Sequence, residues 1–379
     1  MAGKKVFSLL NALAVVLNVL AALLLLSAYM ADFISPASSV FFAFAGLAYP
    51  FLLLLNLFFA VYWLVQRRRM ALLSLLCIGV GIHYLLRYYQ YGGNLEPVPE
   101  DRPVTKVMSY NVQLFGRYQT NAKEGGNVSA ASRDTMLDVM ERVKPDILCM
   151  QEFCHLATAF PTIPLLHQKL PHLRYAYPAL AERTSLSGVN VILSAYPVLQ
   201  GGVVSDASPL WNGYSAVYAD LKVGKDTLRV YSLHLQSVQL QKDDYDFAQR
   251  WTTANGETEG EEFSVGSRRM FGKLRAAYGI RCLQVDSIVA HVARSPYPVV
   301  VCGDFNDTPW SYTYRQFGKC LKDAQVHSGK GRGNTFVLNR LLRFRIDYVF
   351  YSASLDNWGH SVLRKQASDH FPVYTYIAF

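Results

Sequence analysis

Three long runs without a charged side chain dominate the start of this 379-residue chain. A helix needs roughly 20 apolar residues to cross the hydrocarbon core of a membrane. The runs cover residues 6–30 (25 residues), 37–65 (29 residues) and 70–86 (17 residues, broken only by His83). We therefore predict three transmembrane helices, at about residues 6–30, 38–65 and 70–88, within an N-terminal segment 1–90.

Two of these runs have alternative interpretations. The first run could be a signal peptide that begins with Lys4 and Lys5, although its length and the second run directly after it favour a membrane span. The third run is short enough to be an interfacial or buried helix. This third run decides on which side of the membrane the rest of the chain lies.

Cationic residues flank the runs unevenly. Lys4 and Lys5 precede the first run and Arg67–Arg69 separate the second from the third, whereas the turn at 31–36 has no Lys or Arg. The positive-inside rule then places the N-terminus in the cytoplasm and, with three spans, the residues after 90 outside it. We expect an integral protein of a bacterial inner membrane, with the bilayer as its partner and no obligate protein partner. If the third run does not cross, the remainder is cytoplasmic.

Beyond the runs the composition becomes that of a globular protein. Residues 91–103 are rich in proline and acidic residues, which is typical of a linker. Residues 104–379 alternate apolar strand-like runs with helical patterns, and the strands outnumber the helices. This pattern predicts a four-layer α/β sandwich, in which two mixed sheets pack face to face between outer helices. The six cysteines include no CxxC pair, so they support neither a zinc site nor a disulfide framework.

The segment VVVCGDFNDTP (299–309) ends an apolar run with polar side chains. Successive strand residues point to opposite faces, so Asp304 and Asn306 are expected on one face, and Gly303 allows the backbone to bend there. A carboxylate and an amide together suit a hard cation and a phosphoryl oxygen. The alternative is an Asx turn that only ends the strand.

Other predicted strands also carry polar residues: Asn111 and Glu152 follow apolar runs, His234 and Asp347 lie within strands at 227–237 and 345–352, and Asp369 and His370 open the last strand. Each has a structural alternative: Asp347 could pair with Arg345, and His234 could be a satisfied core histidine. Together they form a set of carboxylates for one magnesium ion, two histidines and two amides. Such a set can neutralise a phosphate ester, activate a nucleophile and protonate a leaving group.

In their order along residues 104–379, these motifs resemble the endonuclease/exonuclease/phosphatase superfamily. The motifs are SYNVQLF, QEF, SLHLQS, GDFNDTP, RIDYVF and SDHFPV. The superfamily includes pancreatic-type deoxyribonuclease, abasic-site endonucleases, bacterial sphingomyelinases and inositol-polyphosphate 5-phosphatases. The resemblance implies the four-layer sandwich and metal-dependent cleavage of a phosphate ester.

The resemblance also implies roles for the motif residues. Glu152 is similar to the glutamate that holds the catalytic Mg²⁺ (or Mn²⁺), with Asn111 beside it and Asp369 as a metal-linked aspartate. Asp304 and Asn306 resemble the pair that positions the phosphate and the attacking water. His370 resembles the catalytic histidine, Asp347 the carboxylate that orients it, and His234 the histidine that contacts the phosphate or protonates the leaving oxygen.

These motifs indicate a reaction but not a substrate. The membrane segment favours a phosphodiester or phosphomonoester of a lipid or a small molecule, and especially of a lipid headgroup, because tethering raises the effective concentration of headgroups. The alternative is a membrane-anchored nuclease, for which a basic or aromatic surface would be expected. A non-catalytic binding module is disfavoured, since every motif residue is present.

Overall fold

The computed structural model describes residues 2–92, 96–119, 127–180, 183–204, 215–241, 243–247, 260–338, 342–365 and 367–379. It divides into two units. The helical unit is Met1–Tyr88 with Thr308–Arg315, and the larger unit is Tyr89–Asp307 with Gln316–Phe379. Part of the predicted linker, 93–95, lies outside the described residues.

The helical unit contains one helix that is long and apolar enough to cross a membrane, at Leu9–Asp32. The second and third predicted spans are each a pair of helices bent at a break, by 65° and 53°, so the described residues contain up to three spans if each pair counts as one. The helices are α1 (Ala2–Tyr29), α2 (Val40–Leu47), α3 (Tyr49–Val65), α4 (Ala71–Val80) and α5 (Ile82–Tyr88).

Both bends have local causes. Pro50 occupies the first turn of α3, where its missing N–H fits a new helix start better than a helix interior. Gly81 separates α4 from α5, and a Cβ there would lie 2.0 Å from Cζ of Tyr29. The ring of Tyr29 therefore occupies the space that a side chain at position 81 would need.

The segment Thr308–Arg315 folds as part of the helical unit. Trp310 donates its Nε1–H to the carbonyl of Tyr84 at 3.0 Å and packs on Tyr49, with ring centroids 4.7 Å apart. Arg87 forms an ion pair with the buried Asp32 at 2.8 Å and donates to the carbonyl of Pro309 at 3.1 Å. These contacts explain why Thr308–Arg315, which lies far from the helices in the sequence, folds with them.

The larger unit contains two six-stranded sheets. The first has the strand order β10-β14-β9-β8-β7-β6 and the second has β15-β16-β2-β3-β5-β4. The strands of the first sheet are β6 (Val198–Val203), β7 (Ala216–Val223), β8 (Asp226–His234), β9 (Val299–Asp304), β10 (Leu321–Asp323) and β14 (Asp347–Ser352). Those of the second are β2 (Thr105–Asn111), β3 (Ile147–Leu156), β4 (Tyr175–Tyr177), β5 (Ser185–Ser194), β15 (Asp356–Val362) and β16 (Val373–Ala378).

Short elements complete the larger unit. Two pairs of two-residue strands form two further small sheets: β1 (Tyr89–Gln90) pairs with β11 (Gly331–Arg332), and β12 (Phe336–Val337) pairs with β13 (Arg343–Phe344). The helices are α6 (Asn127–Val143), α7 (Thr162–Lys169), α8 (Gly260–Ala293), α9 (Tyr312–Gly318) and α10 (Ala324–Ser328). A 3₁₀ segment, Gln113–Gln119, follows β2.

Strand alternation separates the core into layers. Val107 and Cys149 of the second sheet pack with Val300 of the first, and these residues form the face that we call inner. Met108 and Met150 point the opposite way, onto α6 and α7. On the first sheet, Tyr231 contacts His291 of α8, with Oη 2.8 Å from Nδ1. This arrangement confirms the predicted four-layer α/β sandwich. All six cysteines are free, and five are buried.

Candidate active site

Strand register places three predicted site residues at one level of the first sheet. Asp304 pairs with His234 of the parallel strand β8 and with Asp347 of the antiparallel strand β14. Asp304 lies two residues beyond Cys302, which belongs to the inner core. Because alternate residues share a face, all three side chains point towards the second sheet.

The second sheet contributes Asn111 and Glu152. Asn111 ends β2 on the same face as Val107. Simple alternation would place Glu152 with Met150 on the outer face, but the register shifts between Met150 and Phe153, and Glu152 has a φ of 54°. This bulge turns the carboxylate inward, where Oε1 accepts from Nδ2 of Asn111 at 3.1 Å. A positive φ at a non-glycine residue costs about 1–3 kcal/mol and is concentrated at functional sites.

Asp304 is the centre of the site. Its Oδ1 accepts the backbone N–H of Asn306 at 2.8 Å, which is an Asx turn. Its Oδ2 accepts from Nδ2 of Asn111 at 3.0 Å and lies 3.7 Å from Nε2 of His234 and 3.6 Å from Nε2 of His370. The Asx turn is therefore present, but it uses only one of the two carboxylate oxygens, and the other lies among the predicted site residues.

Asn306 owes its position to the turn and not to strand alternation, since β9 ends at Asp304. Its φ is 51°, and its Nδ2 donates to the carbonyl of Leu235 at 3.0 Å. The expectation that alternation aligns Asn306 with Asp304 is wrong in its cause, although the turn keeps the two residues adjacent.

His370 and Asp347 form a buried pair, with Nδ1 of His370 2.9 Å from Oδ2 of Asp347. Burial alone would lower the pKa of His370, but the carboxylates of Asp347, Asp304 and Asp369 outweigh it and raise the pKa well above its usual value. Arg345 pairs with Asp323 instead. The alternative that Asp347 pairs with Arg345 is therefore wrong.

Asp369 lies beside this pair and is held by two donors. Its Oδ2 accepts from Nε2 of Gln113 at 3.0 Å, and its Oδ1 lies 3.2 Å from Oγ of Ser368. Burial, together with the nearby carboxylate of Glu152, raises the pKa of Asp369. Burial likewise raises the pKa of Asp304, and the carboxylate of Asp347 adds to the effect.

The donor set suits a hard divalent cation. Glu152, Asp304 and Asp369 offer carboxylate oxygens, which Mg²⁺ prefers, and their crowding favours a positive ion between them. Asp304, Asp347 and His370 also bring one ligand atom each within 4.8 Å of the others. Nδ1 of His370, however, lies 2.9 Å from Oδ2 of Asp347, so that nitrogen already has a partner within the second group. Asn111 here supports the carboxylates by donating Nδ2.

Sequence reasoning missed the residues that hold the site loops. Arg281 of α8 is buried, donates from Nε and Nη2 to the carbonyl of Gln236 at 3.1 and 2.9 Å, and forms an ion pair with Asp307 at 3.2 Å. It thereby holds the segment after His234 and the segment after Asn306. A charged residue on the buried side of a helix is the one signal that could have revealed it.

Gln113 and Tyr245 also border the site. Gln113 has a φ of 46° and its backbone N–H donates to Oδ1 of Asn111 at 3.0 Å, while its side chain holds Asp369. Burial raises the pKa of Tyr245, and the carboxylates of Asp369 and Glu152 add to the shift. Gln113 lies inside the quoted motif SYNVQLF, but no pattern indicated Tyr245.

The family model for the "Endonuclease/Exonuclease/phosphatase family" matches residues 108–370, which is more than half of the chain. The chain belongs to the endonuclease/exonuclease/phosphatase family. Members of this family hydrolyse phosphoric esters with a divalent metal ion, so the chain is a metal-dependent phosphoric ester hydrolase, as the motifs predicted. A second model, a domain of unknown function (DUF8431), matches residues 8–88.

Solved structures resemble the larger unit at low sequence identity. A family member from Beutenbergia cavernae DSM 12333 is 19% identical over 73% of this chain and 72% of its own, with a TM-score of 0.49. The human Nocturnin catalytic domain with bound sulfate is 18% identical over 73% and 95%, with a TM-score of 0.48. A member from Leptotrichia buccalis C-1013-b is 14% identical over 73% and 100%, also with 0.48. No curated protein matches the chain.

Proposed function

We propose that this hydrolase is anchored in a membrane and cleaves a phosphodiester or phosphomonoester of a lipid headgroup, with Mg²⁺ as its metal and Mn²⁺ as the alternative. One observation carries the proposal. The inner-face cluster around Asp304 belongs to the same chain as the apolar helix Leu9–Asp32. An enzyme held at a bilayer meets headgroups at a high effective concentration.

The carboxylates of Glu152 and Asp369 would hold the metal, with Asp304 beside them and Asn111 fixing two of these groups through its amide. When bound, such an ion neutralises charge on the phosphate and lowers the pKa of a water molecule. We propose that the bulge at Glu152 exists for this purpose, because it directs the carboxylate to the inner face.

The remaining residues would bind and orient the phosphate. Oδ2 of Asp347 accepts a hydrogen bond from Nδ1 of His370, which leaves Nε2 directed at Asp304. Nε2 of His234 reaches the same oxygen from the other side. Both imidazoles can therefore donate to oxygens of a phosphate placed between them, and His234 would deliver a proton to the leaving oxygen. Asp304 and Asn306 would orient the attacking water.

A substrate panel tests the proposal. The full-length protein in nanodiscs is assayed on sphingomyelin, a phosphoinositide, and single- and double-stranded DNA, with Mg²⁺ or with EDTA. We expect metal-dependent release of phosphate or phosphocholine from a lipid, and its loss in Glu152→Gln but not in Glu96→Gln, an exposed acid of the same type. Cleavage of DNA without cleavage of either lipid would contradict the proposal and show that the protein is a nuclease.

We further propose that the N-terminus is cytoplasmic and the larger unit lies outside the cytoplasm, in a bacterial inner membrane. Lys4, Lys5 and Arg67–Arg69 support this orientation through the positive-inside rule. Alkaline phosphatase fused after Phe379 should be active. An inactive phosphatase fusion with a fluorescent cytoplasmic reporter at the same position would show that the bent pair 71–88 does not cross.

A further inference from the structure

A cavity of about 540 Å³ lies on the outer face of the second sheet. Lys106 of β2 pairs in register with Tyr376 of β16, and Tyr374 pairs with Met108, whose side chain faces α6. The cavity thus lies beside the C-terminal end of α6. Its lining includes Lys106, Arg142, Arg364, Lys365, Tyr374 and Tyr376.

This cavity is separate from the catalytic centre. Asn111 ends β2 on the inner face, whereas Lys106 lies five residues earlier on the outer face. At about 3.3 Å per strand residue, the two positions are roughly 17 Å apart along the strand. A ligand in the cavity would therefore face neither Asp304 nor the two histidines.

The charge of the cavity is positive and poorly compensated. Lys106 donates Nζ to the carbonyl of Val143, and Arg364 donates to the carbonyl of Arg332, each at 2.9 Å. Both acceptors are neutral. Among the described residues, none of the four cations lies within ion-pair distance of a carboxylate. Asp138 lies near enough to interact electrostatically with Arg142 and Lys365, but its ion pair is with Lys169, at 2.6 Å. Four clustered cations favour a multiply charged anion.

The remaining walls of the cavity are aromatic and apolar. The rings of Tyr374 and Tyr376 lie edge to face, with centroids 6.1 Å apart, and Nζ of Lys106 lies 5.0 Å from the centroid of Tyr376. Val139, Val143 and Leu363 complete the lining. Sites of roughly 300–1,000 Å³ with apolar walls and a few polar groups are typical of small-molecule binding.

We propose that this cavity is a second phosphate-binding site, distinct from the catalytic centre, which takes the phosphate of a small phosphate ester. The cationic rim would bind the phosphate through charge-assisted hydrogen bonds, and the tyrosines would contact the organic part of the molecule. The same chemistry is offered by a soluble phosphate ester and by the headgroup of phosphatidic acid. The site does not depend on the catalytic proposal.

Binding of two probes tests the site. Full-length protein in neutral phosphatidylcholine nanodiscs is titrated calorimetrically in EDTA with inorganic pyrophosphate and, separately, with water-soluble dihexanoyl phosphatidic acid. We expect the double variant Arg364→Glu/Lys365→Glu to weaken binding about tenfold or more, since it reverses two charge-assisted contacts. The control Lys225→Glu/Lys322→Glu makes the same charge change at exposed positions elsewhere and should bind like the wild type.

Each outcome decides the proposal. If dihexanoyl phosphatidic acid binds more tightly than pyrophosphate, the phosphate comes from a lipid headgroup. If pyrophosphate binds as tightly or more tightly, it comes from a soluble ester. Either result supports the site, provided that Arg364→Glu/Lys365→Glu weakens binding and the control double variant does not. If both double variants lose the same binding affinity, the effect comes from net charge alone and the proposal is wrong. Failure of both probes to bind the wild type would overturn it as well. Because no catalysis is measured, the result is independent of the substrate panel.

Discussion

Nδ1 of His370 lies 2.9 Å from Oδ2 of Asp347, and both side chains are buried between the two sheets. A carboxylate in that position fixes one tautomer of the imidazole, and it keeps Nε2 directed at Oδ2 of Asp304, 3.6 Å away. An unpaired carboxylate at the same depth would be costly, so the two residues stabilise each other's positions.

This pair is predicted to act as a unit. His370→Ala should lower the rate by roughly 10²–10⁴-fold, which is the usual contribution of a general acid–base group. Asp347→Asn should lower it less, and the double variant should be little worse than His370→Ala, since residues that act together are non-additive. The measurement is the rate of each variant per folded molecule.

If Asp347 only supports the sheet, the pattern differs. Asp347→Asn would then lower the melting temperature and leave the rate per folded molecule unchanged, and the two losses would multiply in the double variant.

Removal of one carboxylate should weaken metal binding. Glu152→Gln keeps the shape of the side chain but removes a charged oxygen ligand, so we expect a higher Mg²⁺ concentration for half-maximal activity and a lower maximal rate. Titration of wild type, Glu152→Gln and the exposed control Glu96→Gln with Mg²⁺ and with Mn²⁺ measures both quantities. Full activity of Glu152→Gln in EDTA would refute the metal role.

Gly303 is predicted to be irreplaceable, because β8 and β9 approach closely there. A Cβ at position 303 would lie 2.0 Å from the carbonyl oxygen of Leu233, and the φ of 147° is one that favours glycine. Gly303→Ala should therefore separate His234 from Asp304 and lower the activity. It should also lower the unfolding free energy by about 1–3 kcal/mol or more.

Gly318→Ala is the matched control for this substitution, since nothing lies within 4 Å of a Cβ at position 318. Its unfolding free energy should stay within about 0.5 kcal/mol of the wild type. Equal stability and activity of the two variants, measured by denaturant unfolding and initial rates, would contradict the packing argument.

The polar strand ends were predictable because they depend on a local rule. Period-two alternation and apolar runs locate Asn111 and Asp304 at the ends of buried strands, whereas Asp347, predicted inside a strand at 345–352, is the first residue of β14. Glu152 illustrates what this rule misses, since its inward direction comes from a bulge and a φ of 54°. A bulge is set by pairing with β5, which is distant in sequence, so no short pattern predicts it.

Long-range contacts account for the other differences. Arg281 lies in α8, but its partners Gln236 and Asp307 come from two separate loops. Similarly, the uncharged run 70–86 resembles one continuous helix, yet it breaks at Gly81 against the ring of Tyr29. In each case the deciding contact joins residues at least 26 positions apart in the chain.

Asp244 is predicted to give the larger unit a pH-dependent stability. Burial alone would raise the pKa of Asp244, but the backbone N–H of Gln241, Lys273 and Arg269 outweigh it and lower the pKa below the usual 3.8. A carboxylate with a depressed folded-state pKa stabilises the fold above its unfolded pKa, and the contribution is lost as the pH falls through the folded value.

The stability difference between wild type and Asp244→Asn should therefore be full at neutral pH and shrink below about pH 4. Denaturant unfolding at a series of pH values measures it. Asp243→Asn, a change at the exposed neighbouring position, should show no such difference. If the stability difference between wild type and Asp244→Asn stays constant down to acid pH, the predicted pH dependence is wrong.

Arg281 is predicted to position the two site loops through the shape of its guanidinium as well as through its charge. It donates to the carbonyl of Gln236 from two nitrogens and reaches Oδ2 of Asp307 with a third. Lysine keeps the charge but not the planar fork. Arg281→Lys should therefore lower kcat more than it raises KM, because Gln236 and Asp307 lie directly beside the segments that carry His234 and Asn306. Arg275→Lys, at an exposed position of the same helix, is the control. If Arg281 has a purely structural role, Arg281→Lys should lower the melting temperature while its kcat per folded molecule equals that of Arg275→Lys. Measurement of kcat, KM and melting temperature for both variants distinguishes these results.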